Sequence, residues 1–503
     1  MAEFGETIGK AYETEGAAVE LGVGVHEGEL VPEALVRVPL PMTNRHGLIA
    51  GATGTGKTRT LQGIAEQLST AGVAVFLADV KGDLSGMAVP GADDGPAPKR
   101  AAELGLEYAP TGFPVEYLSL GGIGPGVPVR ATVSDFGAPL LAKILDANDT
   151  QAQSLDLVFR YADQKGLPLL DLSDLRALLT FLGSDAGRAE LEGIGGLASA
   201  TVGVLLRAMV GLEDGGGTEF FGEPQFDVND LIRTAPDGRG VISCLELPAV
   251  QDKPRLFSTV LMWLLAELYE ELPEVGDLDK PKLCFFFDEA HLLFTGASKA
   301  FLESVTQTVR LIRSKGVGVF FVTQTPKDVS GDVLAQLGSR VQHALRAFTP
   351  DDATALKATV RTYPKSDFYD LEQLLQQLGI GEAAVTVLSE SGVPTPVVHT
   401  KMRPPASRMA PADDVDAAAK ASPLYAKYGT RVDARSAHEL LAARLERASA
   451  PESPPVPERE REKASEATIG GADAIGDFLN SSTGKQIQRE VVRGVFGLLK
   501  KRL

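Results

Sequence analysis

A chain of 503 residues with 44% hydrophobic and 23% charged residues has the composition of a globular protein, with room for two or three domains or one α/β core carrying a large insertion. Its net charge of −18 argues against a surface coated in basic residues for nucleic acid, while leaving room for locally basic loops inside a pore. There is no run of about 18 apolar residues, the acidic start has no signal-peptide core, and Cys244 and Cys284 lack metal-ligand spacing, so a cytoplasmic chain with core thiols and no membrane partner is expected.

Residues 17–44 carry short alternating apolar stretches (Val19, Leu21, Val23; then Leu35, Val36, Val38, Leu40) and predict a small N-terminal β module over 1–44. His46–Ala50 reads as a buried strand entering a glycine-rich turn. Thr58–Ala71 reads as a helix with Leu61, Ile64, Ala65 and Leu68 on one face, and Val73–Asp79 as a second strand. Strand, loop, helix, strand is a βαβ unit, which requires a parallel sheet with helices on its faces. The fold class is therefore α/β, a mostly parallel sheet flanked by helices, with a core over 45–85 and 240–405.

Between 86 and 239 the pattern changes. A Gly/Pro/Asp-rich loop leads to a strand-like stretch at Val115–Leu118, then to helical segments around 137–147, 150–165, 171–183 and 196–211, which predict a mainly helical insertion. The core resumes with strands Val241–Leu247, Leu283–Phe287, Val317–Thr323, Arg340–Ala347, 384–389 and 396–401, and helices Arg255–Glu271, Lys299–Ser314 and 330–337. A helical extension follows over 406–448, then a Pro- and charge-rich flexible linker over 449–470 with too few apolar residues to fold. The last stretch, 471–503, predicts an amphipathic helix with Ile487, Val491, Val495 and Leu498 along one side. It is expected to pack on its own or a neighbouring subunit, with nucleic acid or a membrane surface as the other reading.

The chemistry sits first in Gly51, Ala52, Thr53, Gly54, Thr55, Gly56, Lys57 and Thr58, which fit the pattern G-x-x-x-x-G-K-S/T between a strand and a helix. Backbone N–H groups of such a loop curl around the α- and β-phosphates of ATP. Lys57 reaches the β/γ oxygens, Thr58 coordinates Mg²⁺, and the helix points its positive end at the phosphates. Arg59 closes the expected nucleotide-binding set. Some 230 residues on, the apolar strand Leu283–Phe287 ends in Asp288 and Glu289. Asp288 is placed to hold a Mg²⁺-bound water and Glu289 to orient and polarise the attacking water, the simpler alternative being helix capping. Gln324, at the carboxyl end of strand Val317–Thr323, is the candidate contact to the γ-phosphate or the water, or else a turn residue. Asp79 and Asp83 border the same edge, with loop capping their simpler role. Arg310 and Arg313, at the far end of the helix after the acidic pair, are candidate fingers for a neighbour's site or a solvated helix face. His291 either links the site to a polymer or forms a structural hydrogen bond, and His46 and His343 read as satisfied core residues.

The segments HGLIAGATGTGKT, KPKLCFFFDEAHLLF and RSKGVGVFFVTQTPKDVSGDVLAQLGSRVQHALRAFTP resemble the HerA/FtsK superfamily of ring ATPases, whose core is the RecA-like P-loop fold; FFGEPQFDVNDL (220–231) resembles a bacterial HerA-like subgroup. The resemblance implies a hexameric ring, ATP hydrolysis between adjacent subunits, and translocation of double-stranded DNA. It matches Lys57 and Thr58 to the Walker A pair, Asp288 and Glu289 to the Walker B aspartate and catalytic glutamate, Gln324 to the sensor and Arg313 to the trans finger, with Arg45 a further basic residue near the phosphates. HerA members carry an N-terminal β-barrel that docks a nuclease, where only about 44 residues precede this core. The resemblance thus leaves a nuclease or other effector partner open. An ATPase energising secretion or conjugation, and a scaffold switched by ATP, are the alternative readings.

Overall fold

The computed structural model describes residues 2–191, 195–276, 278–294 and 299–449. The expected linker, apart from Ser449, and the expected terminal helix lie outside them. Among the described residues, apolar runs bounded by glycine, proline or aspartate become twelve strands. They are β1 (Ala18–His26), β2 (Glu29–Pro39), β3 (Gly47–Ala50), β4 (Ala74–Asp79), β5 (Val115–Leu120), β6 (Val127–Val129), β7 (Ile242–Glu246), β8 (Leu283–Phe287), β9 (Val317–Thr323), β10 (Ser339–Gln342), β11 (Glu382–Thr386) and β12 (Val398–Met402). All twelve belong to one sheet, in the order β2-β1-β12-β11-β10-β3-β9-β8-β4-β7-β5-β6. From β10 to β6 the pairing is parallel, and from β10 outward to β2 it is antiparallel.

Central strands such as β8 and β9 are buried at every residue, as parallel strands covered on both faces must be. The period of two then sorts side chains between two cores. From β4, Val75 and Leu77 meet Leu61, Ile64 and Leu68 of helix Lys57–Thr70 on one face. Ala74, Phe76 and Ala78 join the core on the other face, with helix Pro254–Glu271 and the helices of the insertion. No described helix is long and apolar enough to cross a membrane.

Three features were not expected. Residues 18–39 do not stand apart as a module, because β1 pairs with β12 and so continues the main sheet. A helix over Ala2–Ala11 precedes them, burying Phe4 and Ile8, with Tyr12 buried just beyond it. Its glycines, Gly5 and Gly9, depress helix propensity and hide it from a pattern reading. The stretch 86–239 does contain the expected helices (Val133–Ile144, Asp149–Lys165, Leu172–Gly183, Ser199–Leu212), yet β5 and β6 within it extend the main sheet beyond β7.

After β12 the chain returns along helix Lys57–Thr70. The backbone N–H groups of Ala406 and Ser407 donate to the buried Glu66 carboxylate at 2.7 and 3.0 Å, and the Gln62 amide donates to Ser407 Oγ at 2.7 Å. Short helices follow at Val415–Ala421 and Pro423–Tyr428.

Candidate active site

The turn after β3 is built from conformations and clearances that only glycine allows. Gly51 has φ +154°, and a Cβ there would lie 2.5 Å from the His343 Cβ; Gly56 has φ +119° and starts helix Lys57–Thr70. Gly51 N–H donates to Thr323 O at 3.2 Å and Ala52 N–H to Ala344 O at 2.8 Å, tying the turn to the carboxyl ends of β9 and β10. Beneath it, His343 Nδ1–H donates to the Glu382 carbonyl at 2.8 Å, which leaves Nε2 to accept from Thr60 Oγ1 at 2.9 Å. Burial pushes this imidazole down to about 4, so it is neutral. It is a satisfied core group, as is His46, whose Nδ1 accepts from Val319 N–H at 3.0 Å.

Lys57 lies at the mouth of the turn, its Nζ donating to Gly51 O at 2.7 Å and Ala52 O at 3.2 Å. Burial lowers its pKa, partly offset by the charge of Glu289. Thr58 is half-buried beside it in the first helical turn, where N–H groups have no intrahelical acceptor. Arg59 is turned away: its guanidinium donates to Met409 O at 2.6 Å and Gln62 Oε1 at 3.0 Å. Only its backbone is available to the turn.

Two strands along the sheet, about 10 Å from β3, β8 ends in the acidic pair. Asp288 is 7% exposed and its Oδ2 has no hydrogen-bond partner. Burial, then the charge of Glu289, push its carboxyl up to about 7. A buried carboxylate oxygen left open on the same sheet edge as a hydroxyl-bearing helix start suits a divalent cation, which would stabilise the ionised form. Glu289 has φ +48°, a strained value for a residue with a side chain. Burial would raise its pKa, but a hydrogen-bonded ion pair with Lys81 brings it below the usual carboxylate value, and His291 Nδ1 lies 3.3 Å from its Oε2.

Lys81 is the residue the sequence reading missed. It follows β4, and Asp79, fully buried, fixes its loop by accepting from the N–H groups of Lys81 (3.2 Å), Gly82 (2.7 Å) and Leu84 (2.8 Å). Loop capping is thus the observed role of Asp79. Its carboxyl is pushed up to about 6, first by burial. Beside it on β7, Glu246 is pushed up to about 7 by burial and by Asp79.

Gln324 is exposed at the tip of β9, the strand between the glycine turn and the acidic pair. Arg313 is not brought to this edge. The helix over Lys299–Ile312 closes before it, and Arg313 opens a single 3₁₀ turn at the amino end of β9. The length of that strand, roughly 20 Å, separates it from the carboxyl edge. Arg310 lies one helical turn earlier.

The family model described as "Helicase HerA-like C-terminal" matches residues 26–502. The "probable helicase MJECL08" of Methanocaldococcus jannaschii is 28% identical over 167 residues, 31% of this chain and 30% of that protein, so the match spans under a third of the relative's length. Among solved structures, the plasmid coupling protein TrwB in complex with ADP and Mg²⁺ is similar with a TM-score of 0.53 at 15% identity, over 82% of this chain and 94% of that one. VirB4 of Thermoanaerobacter pseudethanolicus is similar with a TM-score of 0.50 at 15% identity, over 77% and 97%. These likenesses establish the mostly parallel α/β fold expected for a RecA-like core, and the family match establishes the kinship that the motif blocks implied. The chain belongs to the helicase HerA-like C-terminal family.

Proposed function

We propose that this chain is a ring motor that couples ATP hydrolysis to movement along double-stranded DNA. The observation that carries the catalytic part is the open, buried Oδ2 of Asp288, which faces the same sheet edge as Lys57 and Thr58. In this reading the helix start and Lys57 hold the phosphates. Thr58 and Asp288 would hold Mg²⁺, which supplies charge neutralisation at the β/γ oxygens. Glu289 orients the attacking water and takes up its proton, and Gln324, on the strand between, contacts the γ-phosphate or that water. The Thr55 hydroxyl, which donates to Ala52 O, and the neutral His343 below it keep the turn's shape without adding charge.

The ring part rests on Arg313. At the amino end of β9 it is too far to serve its own Lys57, so it completes a site only if a second copy presents that edge. Six copies and double-stranded DNA in the pore are what the family resemblance supplies. An effector such as a nuclease is outside this reading.

The test is steady-state phosphate release by the full chain, with and without linear double-stranded DNA, at two salt concentrations. Stimulation that fades as salt rises is expected, because phosphate contacts release counterions. Turnover indifferent to DNA would overturn the DNA coupling and point to a polypeptide substrate, as in transport ATPases.

A further inference from the structure

Glu289 is held by a residue that belongs to none of the motifs. The loop after β4 is shaped by the three N–H bonds to Asp79, and this brings the Lys81 ammonium onto a carboxylate 208 positions away in sequence. The two ends of this contact differ in freedom. Glu289 sits in a buried, left-handed backbone position, whereas the Lys81 side chain is 50% exposed and can swing. Lys81 also acts electrostatically on Lys57, so both ammonium groups face one small region.

This geometry poses a chemical conflict. A carboxylate whose oxygen is engaged by an ammonium is a poor acceptor for a proton from water. A terminal phosphate, with more negative charge and more acceptor oxygens than a carboxylate, is the stronger ligand for a lysine. We propose that Lys81 is a positioning residue that senses the γ-phosphate. It restrains Glu289 until a triphosphate is bound, then moves to the terminal phosphate and leaves Glu289 free to orient water. A diphosphate offers Lys81 nothing to move to, so the restraint stays. The inference rests on the reading of Lys57 and Glu289 above.

The test is equilibrium binding of two fluorescent nucleotides, mant-ADP and the mant form of a non-hydrolysable β,γ-imido ATP, to the full chain with Mg²⁺. Four proteins are compared: wild type, Lys81→Met, Glu289→Gln and the double variant. Glu289→Gln releases Lys81 and should raise the preference for triphosphate over diphosphate by about tenfold. In the Lys81→Met background the same change should raise it by less than about twofold, and Lys81→Met alone should lower the preference while leaving mant-ADP affinity unchanged. An equal gain from Glu289→Gln in both backgrounds would overturn the proposal, since the gain would then be removal of a negative charge and nothing more. So would no gain in wild type, a result that decides the matter even if Lys81→Met fails to fold. If wild type binds neither nucleotide, it is the reading of the glycine turn that fails, and the two failures are distinct.

Discussion

Two buried aspartates, one in the helical insertion and one at the sheet edge, show how differently the molecule treats the same side chain. Asp174, fully buried, accepts from the N–H groups of Leu170 (2.8 Å), Asp171 (3.1 Å) and His438 (2.8 Å). It completes the capping box that starts helix Leu172–Gly183. Asp288 is nearly as buried, yet one of its oxygens has no partner, and the next residue is held at positive φ. The insertion follows the local rules of stability at several helix starts, with side-chain caps at Thr132 and Ser184 and a second capping box at Asn148 and Gln151. The sheet edge breaks them at neighbouring positions. Departures of that kind persist where the surrounding structure enforces them, and they mark where a ligand is to be met.

The contrast can be broken most directly by exchanging the chemistry of the two aspartates. Asp174→Ala leaves three N–H groups unpaired and should cost about 3–5 kcal/mol of stability, with nucleotide affinity unchanged in the protein that remains folded. Asp288→Asn removes the charge that a buried carboxyl with one unpartnered oxygen carries above about pH 7, and at pH 8 should instead stabilise the nucleotide-free fold by about 1–2 kcal/mol, while ATP hydrolysis is lost. Denaturant midpoints and phosphate release check both. Destabilisation by both substitutions would mean that Asp288 is an ordinary structural residue.

A smaller effect comes from Glu246, which lies on the site side of the contrast with Asp79, Asp83 and Cys244 around it. Its folded value of about 7 is above its ordinary value of 4.5. The folded state therefore holds its proton longer than the unfolded chain does. Wild type should lose stability relative to Glu246→Gln as pH rises from about 4.5 to about 7, by about 1–3 kcal/mol in all. Chemical denaturation of both proteins at pH 5 and pH 8 reads this out. Parallel pH profiles would show that Glu246 pays no penalty for its charge.

The difference between the regions also explains what could be read from sequence. The places of the glycine turn, Lys57, Thr58, Asp288, Glu289 and Gln324 at strand ends were legible because each lies within a short segment: an apolar strand ending in a particular residue type. The central strands were legible because β4, β8 and β9 are runs of buried apolar residues with no competing pattern. Lys81 was not, because its meaning lies in a contact with Glu289 through space, and a lysine in a glycine-aspartate loop reads as solvent-exposed. The attachment of β1 and β2 to the main sheet was hidden for the same reason, since β1 finds its partner β12 far along the chain, Gly22 opposite Met402. β6, with the three residues Val127–Val129, is too short to give a periodic signal. Arg313 was assigned to a helix that stops one residue sooner, a boundary error of the usual size.

The central claim is that Glu289 performs the hydrolytic step on a nucleotide held by the turn at Lys57. It is tested most directly by mixing Glu289→Gln with radiolabelled ATP and Mg²⁺ and following both bound nucleotide and released phosphate in a single turnover. The account predicts that ATP binds at least as tightly as in wild type while its cleavage slows by about 10²-fold or more. Cleavage at the wild-type rate would contradict it and place the catalytic base elsewhere.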